Sequence, residues 1–330
     1  MRAVVVSEFG PVESHRIGEL PDPPLQTGEV VVTIQATAVN FVDLLVVTGK
    51  YQFLPKRPFA PGKLPAGIVT AVGPDVTDFA AGDRVLTLAE QGGYAQKISV
   101  KASQCFKLPA SMSFVDAAAM ALVYDTSWFA LRERARLQPQ ETVLVLGGSG
   151  GIGLAAIQLA KALGARVLAG VSTPAKADLV RDAGADDIIN LSQSELHESL
   201  RAQVYAKNGD NGVDIVIDPI GGDAFDAALR AVAWRGRVVV VGFASGRIPT
   251  IKANYLLLKN IEVSGLQVSD YRKRTPNLMR QCMNEIFALF EAGKLKPSPT
   301  VTYPLEHFAS AMQDVQDRRV RGRAVLVQNS

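Results

Sequence analysis

The chain has 330 residues, a length that favours two domains and can bury a large core without disulfide or metal staples. Its residues are 48% hydrophobic and 20% charged, which excludes wholesale disorder, and a net charge of +3 is too balanced to point to nucleic acid or a membrane surface. Cys105 and Cys282 lie far apart and outside any CxxC pair, which argues against a disulfide framework and a cysteine-rich zinc site.

In chain order, the opening run Ala3–Val6 is too short for a signal peptide core and reads as a first strand. The first third then shows β-branched runs broken by Gly and Pro: 30–34, 67–73, 84–88 and 94–100. Short strands at that spacing predict a compact, antiparallel, barrel-like domain. From residue 142 the rhythm changes to strands at 142–146, 166–171, 187–190, 213–218, 237–242 and 261–265, with helical segments between most of them. Such alternation predicts a doubly wound parallel sheet of six strands. Residues 174–183 read as a helix with Pro174 in its first turn and Gly184 after its end. The tail offers a helix at 276–292, strands at 301–303 and 324–327, and a helix at 305–316 between them. With no further strand–helix alternation, the tail is expected to rejoin the first domain, giving 1–122 and 266–330 against 123–265. No stretch approaches the roughly 20 apolar residues of a membrane span, and the cytoplasm is the default location. The basic cluster Arg318–Arg323 reads as a solvated face.

Gly148-Ser149-Gly150-Gly151-Ile152-Gly153 follows a buried-type strand and opens an apolar helix, the context in which G-x-G-x-x-G marks a dinucleotide site. The turn must be tight, and the main chain must approach a pyrophosphate that the helix N-terminus attracts. At the end of the next strand, Ser172 and Lys176 stand where an NAD site places a carboxylate. A hydroxyl and an ammonium suit a 2′-phosphate, so NADPH is the expected cofactor. Ser172 could equally cap a helix, and both roles are compatible.

Together, Asn40-Phe41-Val42-Asp43, Phe79–Val85, Gly92-Gly93-Tyr94-Ala95, the glycine turn, Asp218–Gly222 and Gly322-Arg323-Ala324-Val325 resemble the medium-chain dehydrogenase/reductase superfamily. Within it the chain looks most like the zinc-free, zeta-crystallin-like quinone oxidoreductases, and the resemblance covers nearly the whole chain. It implies a GroES-like β-barrel-type domain, a Rossmann domain, NADPH in the cleft between them, and a homodimer paired through the last Rossmann strand, here 261–265. It also places Thr126 near the nicotinamide, Asn190 near the adenine ribose, and Phe243, Ala244, Ser245 and Arg323 around the cofactor. Where zinc alcohol dehydrogenases carry their catalytic ligands, the matching positions hold Asn40, Lys63 and Leu122, an unsuitable ligand set. No metal is expected.

Without a Lewis acid, the implied chemistry is reduction of an electron-poor acceptor, a quinone or an α,β-unsaturated carbonyl. The protein then needs donors for an oxygen that gains negative charge. Asn40, Tyr51, Lys63 and Tyr94 are the candidates. Two of these, and the neighbouring Asp43, have plain structural readings. Tyr94 suits a core aromatic with a satisfied hydroxyl, Asn40 a buried loop contact, and Asp43 a helix cap. The chain departs from the family pattern at Leu45, Leu64, Asp125 and Leu191, so its specificity is open. Two rival functions remain: an enoyl-thioester reductase using Lys50, Lys56 and Arg57 as a cationic entrance, and a non-catalytic NADPH- or RNA-binding protein. The charge balance gives RNA little support.

Overall fold

The computed structural model describes residues 1–328. The chain divides into two compact units, one of Met1–Leu122, Tyr271–Met283 and Pro297–Ser330, the other of Val123–Asp270 and Asn284–Lys296. Residues 266–270 and 284–296, expected with the tail, therefore cluster with the second unit.

The first unit begins with β1 (Arg2–Val5) and β2 (Arg16–Glu19), an antiparallel pair. Its main sheet is built on β3 (Glu29–Val39), followed by α1 (Phe41–Val47), β4 (Ala66–Val72), β5 (Arg84–Thr87), β6 (Lys97–Lys101) and β7 (Cys105–Lys107). The first half of β3 pairs with β4 and β6, and alternate residues Val30, Val32 and Ile34 bury with Val69, Val85 and Val100. That alternation is what a sheet with one buried face requires. The second half of β3 changes partner. Beyond a register shift between Ile34 and Ala36, its residues 36–39 pair with the last strand of the chain.

Helix α2 (Phe114–Trp128) continues as a π-helix over Phe129–Arg134. This 21-residue helix is long and apolar enough to cross a membrane by length and composition, contrary to the expectation from sequence. Of its most apolar window, 78% is buried inside the protein, so it is a core helix here.

The second unit alternates as expected: β8 (Thr142–Val145), α3 (Gly151–Ala162), β9 (Arg166–Val171), α4 (Ala177–Asp182), β10 (Asp187–Asn190), α5 (Leu196–Lys207), β11 (Val213–Asp218), α6 (Gly222–Ala231), β12 (Val232–Val240), α7 (Ala253–Lys259) and β13 (Glu262–Gly265). All neighbours are parallel, in the order β10-β9-β8-β11-β12-β13. This is the doubly wound arrangement, whose crevice lies at the carboxyl ends of the strands where the order reverses. Helices cover both faces, so every residue of β8 is buried, which is why it reads as an unbroken apolar run.

The chain then forms α8 (Val268–Arg274), α9 (Pro276–Glu291), β14 (Thr300–Pro304), α10 (Phe308–Gln316) and β15 (Arg323–Val327). β15 inserts between β14 and β3, and α10 packs Phe308 and Met312 with Val39, Leu44 and Val47. The tail strands thus complete the first unit's sheet.

Candidate functional site

In the first unit the pairing of Ala324 with Val39 sets Arg323 beside Asn40. Arg323 donates to Asn40 Oδ1 at 2.6 Å and to the Ala119 carbonyl at 3.2 Å. Asn40 is the residue before α1, and its N–H donates to Asp43 Oδ2 at 2.9 Å, so Asp43 caps the helix as its structural reading proposed. The Tyr94 hydroxyl donates to the same Asp43 oxygen at 3.1 Å. All four side chains are buried. Burial raises the Asp43 carboxyl above its ordinary value, against the opposing pull of the Lys63 charge and the hydrogen bonds from Asn40 and Tyr94. The Tyr94 hydroxyl is pushed well up, by burial first and Asp43 second. Tyr94 is therefore a core aromatic with a satisfied hydroxyl in this structure, the alternative that the sequence left open. Its ring explains Gly62, where a Cβ would come 2.2 Å from the ring edge.

Lys63 follows that glycine and precedes Leu64, which holds a left-handed φ of 53°. Such backbone is costly for a side chain with a Cβ, by roughly 1–2 kcal/mol. The Leu64 N–H donates to the Ala89 carbonyl at 2.8 Å, which lays the segment along Ala89-Glu90. Lys63 Nζ then reaches Glu90 Oε2 at 2.8 Å, while Arg272 donates to Glu90 Oε1 at 2.7 Å. Burial pushes the Glu90 carboxyl up, but the Arg272 and Lys63 charges outweigh it and hold the group below its ordinary value. The Tyr51 ring lies 5.6 Å from Lys63 Nζ. The four predicted catalytic residues and Arg323 thus share one unit. The sequence reading missed Glu90 and Arg272, which carry no motif and lie 182 positions apart; only the fold joins them.

In the second unit the predicted cofactor residues line the carboxyl ends of adjacent strands. The glycine turn follows β8, Ser172 follows β9, and Asn190 ends β10. Three glycines do three different things. A Cβ on Gly153 would sit 2.2 Å from the Gly147 carbonyl oxygen, so α3 could not start this close to the turn. One on Gly148 would press Ala169 at 3.1 Å, whereas one on Gly150 would meet nothing nearer than 3.4 Å. Gly150 is exposed, has extended backbone and receives no side-chain cap, so the first turn of α3 keeps N–H groups for a ligand. The turn fits a pyrophosphate. Ser149, Gly151 and Ile152 are half-buried, and the Ser127 hydroxyl ties α2 to the Ile152 carbonyl at 3.2 Å. Thr126 is buried one residue earlier.

Ser172 is exposed and Lys176 half-buried. The predicted helix at 174–183 is divided, with a 3-10 turn over Pro174–Lys176 before α4. Asn190 accepts from the Ser192 N–H and hydroxyl, at 2.9 and 2.7 Å. The loop of Phe243, Ala244 and Ser245 is pinned to the turn after β11, with Ala244 N–H on the Pro219 carbonyl at 3.1 Å and Ser245 N–H on that of Ile220 at 3.0 Å. Asp218 organises that turn by accepting from Ile220 and Gly221 N–H, at 2.8 and 2.9 Å. Burial pushes its carboxyl up to about 6 despite those hydrogen bonds.

Residues 26–110 match the family described as the alcohol dehydrogenase GroES-like domain, and residues 151–285 that described as zinc-binding dehydrogenase. The chain is 37% identical to a quinone oxidoreductase-like protein 2 homolog of Nematostella vectensis, over 92% of this chain and 82% of the relative. It is 36% identical to quinone oxidoreductase-like protein 2 of Bos taurus, over 94% and 88%. The solved Escherichia coli quinone oxidoreductase complexed with NADPH superposes with a TM-score of 0.90 at 30% identity, covering 99% of this chain and all of that one. The two units accordingly form a GroES-like and a Rossmann domain. The chain belongs to the medium-chain dehydrogenase/reductase superfamily and, within it, to the zeta-crystallin-like quinone oxidoreductase family.

Proposed function

We propose that this protein is a zinc-independent, NADPH-dependent reductase of quinones or other α,β-unsaturated carbonyls. The observation that carries this reading is the fate of the zinc-ligand positions. Asn40 and Lys63 are locked as hydrogen-bond donors and acceptors in buried polar networks, and the third position is the alkyl side chain of Leu122. An amide and an ammonium stabilise a developing oxyanion; they do not assemble a Zn²⁺ site.

NADPH would be held by the glycine turn, Ser172 and Lys176, and supplies a hydride when bound. The related Escherichia coli enzyme was solved with that cofactor. The protein's own residues orient and polarise the acceptor. Asn40 and Lys63 carry the N–H donors, Arg323 and Asp43 hold Asn40, and Glu90 holds Lys63. Tyr94 acts through Asp43 as a positioning residue. Tyr51 offers a ring face beside Lys63. No side chain is assigned as proton donor; solvent supplies the proton after hydride transfer.

The test is oxidation of NADPH, followed at 340 nm, against small quinones, enones and an enoyl-thioester, with NADH in parallel. Turnover of one acceptor class with NADPH preferred is the expected result. Binding of NADPH without turnover of any acceptor would overturn the reductase reading in favour of a binding protein.

We further propose a homodimer. β13 is an edge strand of the parallel sheet, and Trp234, Leu257 and Leu258 in the same unit are 70–76% exposed. An open edge beside exposed apolar side chains is a liability that a second copy removes. Sedimentation should show a dimer that Leu257→Glu with Leu258→Glu converts to monomer; a wild-type monomer would refute it.

A further inference from the structure

Two segments of the first unit carry cations and no acid. Between Lys50 and Gly73 there are four cations, Lys50, Lys56, Arg57 and Lys63, and no Asp or Glu. Between Tyr271 and Asn284 there are four more, Arg272, Lys273, Arg274 and Arg280, again with no acid. The fold brings these two stretches together. Lys273 Nζ stands 5.3 Å from the Phe53 ring centroid, and Arg272 and Lys63 grip opposite oxygens of Glu90.

The loop carrying Tyr51, Phe53 and Leu54 is held by cations on its aromatic faces. Lys63 faces Tyr51, Lys273 faces Phe53, and Arg57 lies 4.8 Å from the ring of Phe9. The loop nevertheless leaves Phe53 49% and Leu54 42% exposed, beside the exposed ends of Lys56, Arg57 and Lys273. An apolar platform with the exposed cations Lys56, Arg57 and Lys273 around it, the Glu90 carboxylate being already paired with Lys63 and Arg272, matches a ligand with an apolar body and an anionic group. A surface kept merely for solubility mixes both signs. The platform adjoins Tyr51 and Lys63, two of the residues assigned above to the acceptor.

We propose that the acceptor carries an anionic group, a carboxylate of its own or a phosphate on the carrier of its thioester, which is bound by Lys56, Arg57 and Lys273. This rests on the reductase reading and narrows its substrate class.

The experiment uses two matched pairs on NADPH-saturated protein: an enone carboxylate against its methyl ester, and a but-2-enoyl thioester of coenzyme A against that of N-acetylcysteamine. The anionic member of one pair should show a KM on the order of tenfold lower at low salt, a gap that closes near roughly 0.5 M KCl as the charges are screened. The pair that responds distinguishes carboxylate from phosphate. Lys56→Gln with Lys273→Gln should remove that advantage while changing KM for the neutral member less than about twofold. Equal KM values within both pairs, or a variant that shifts both members alike, would overturn the proposal. If no acceptor turns over, the reductase reading itself fails. Calorimetric titration of coenzyme A and of the enone carboxylate into NADPH-saturated wild type and variant then decides separately. Binding confined to the wild type supports the anion site, and no binding by either sinks it.

Discussion

The two units build their candidate sites from different materials. The second unit uses main chain: three glycines, the N–H groups of the first turn of α3, and a turn organised by Asp218. The first unit uses side chains that the fold collects from distant positions, Arg323 onto Asn40 and Arg272 onto Glu90, and it buries most of them. A main-chain site needs space, and the fold around it tolerates substitution wherever a Cβ meets nothing, although the ligand need not. A buried side-chain network needs every member, because each one removed leaves a polar partner unsatisfied.

The largest expected effect therefore lies in the first unit. Asp43→Ala strips the acceptor from both the Asn40 N–H and the Tyr94 hydroxyl, at the end of a chain that leads to the buried Arg323. Loss of about 3–5 kcal/mol is expected, the scale for breaking a buried ionic and hydrogen-bonded group. Urea denaturation measures it. Tyr94→Phe, which keeps the ring and drops only the hydroxyl, should cost about 1 kcal/mol. If the two variants were equally stable, Asp43 would not be the shared acceptor on which the network depends.

The same contrast explains what the sequence made legible. The Rossmann strands at 166–171 and 213–218 fall where their apolar runs place them, because parallel strands buried on both faces leave a nearly unbroken signal. The glycine turn was equally plain, since Gly148, Gly150 and Gly153 are local and their spacing carries the geometry. By contrast β2 and β7, four and three residues long, have too few positions to show a period, and β12 begins five residues before its apolar run. The partners Glu90 and Arg272 were invisible for a different reason. An ion pair that joins the segment after β5 to the end of α8 has no sequence spacing to betray it. The membrane-length apolarity of α2 and its continuation was also missed, since Asp116 and Asp125 interrupt the run that a reader scans for.

A second effect separates the units by pH. Asp218 titrates at about 6 in the folded protein against an ordinary 3.8. As pH rises from about 4 to about 6, the unfolded chain releases this proton first, so the folded state loses stability across that window. At roughly 1.4 kcal/mol per unit the loss is about 3 kcal/mol. Asp218→Asn keeps an acceptor for the Ile220 and Gly221 N–H groups but cannot titrate. Its stability relative to wild type should therefore rise by that amount between pH 4 and pH 7, measured by urea denaturation. A difference that stays constant over the range would mean that the buried carboxyl is not the source.

The smallest effect tests the main-chain site from within. Gly153→Ala drives a Cβ to 2.2 Å from the Gly147 carbonyl oxygen, which only backbone movement can relieve. A stability loss of about 1–3 kcal/mol is expected, with NADPH affinity falling as α3 shifts. Gly150→Ala meets nothing in the protein nearer than 3.4 Å, so thermal stability without ligand should hold within about 0.5 kcal/mol. Affinity for NADPH should still fall on the order of tenfold, because the methyl group enters the space that the pyrophosphate needs. Thermal denaturation with and without NADPH reads both variants in one experiment. If Gly150→Ala bound NADPH like the wild type, the open side of the turn would not face the phosphates, and the glycine at 150 would need another reason.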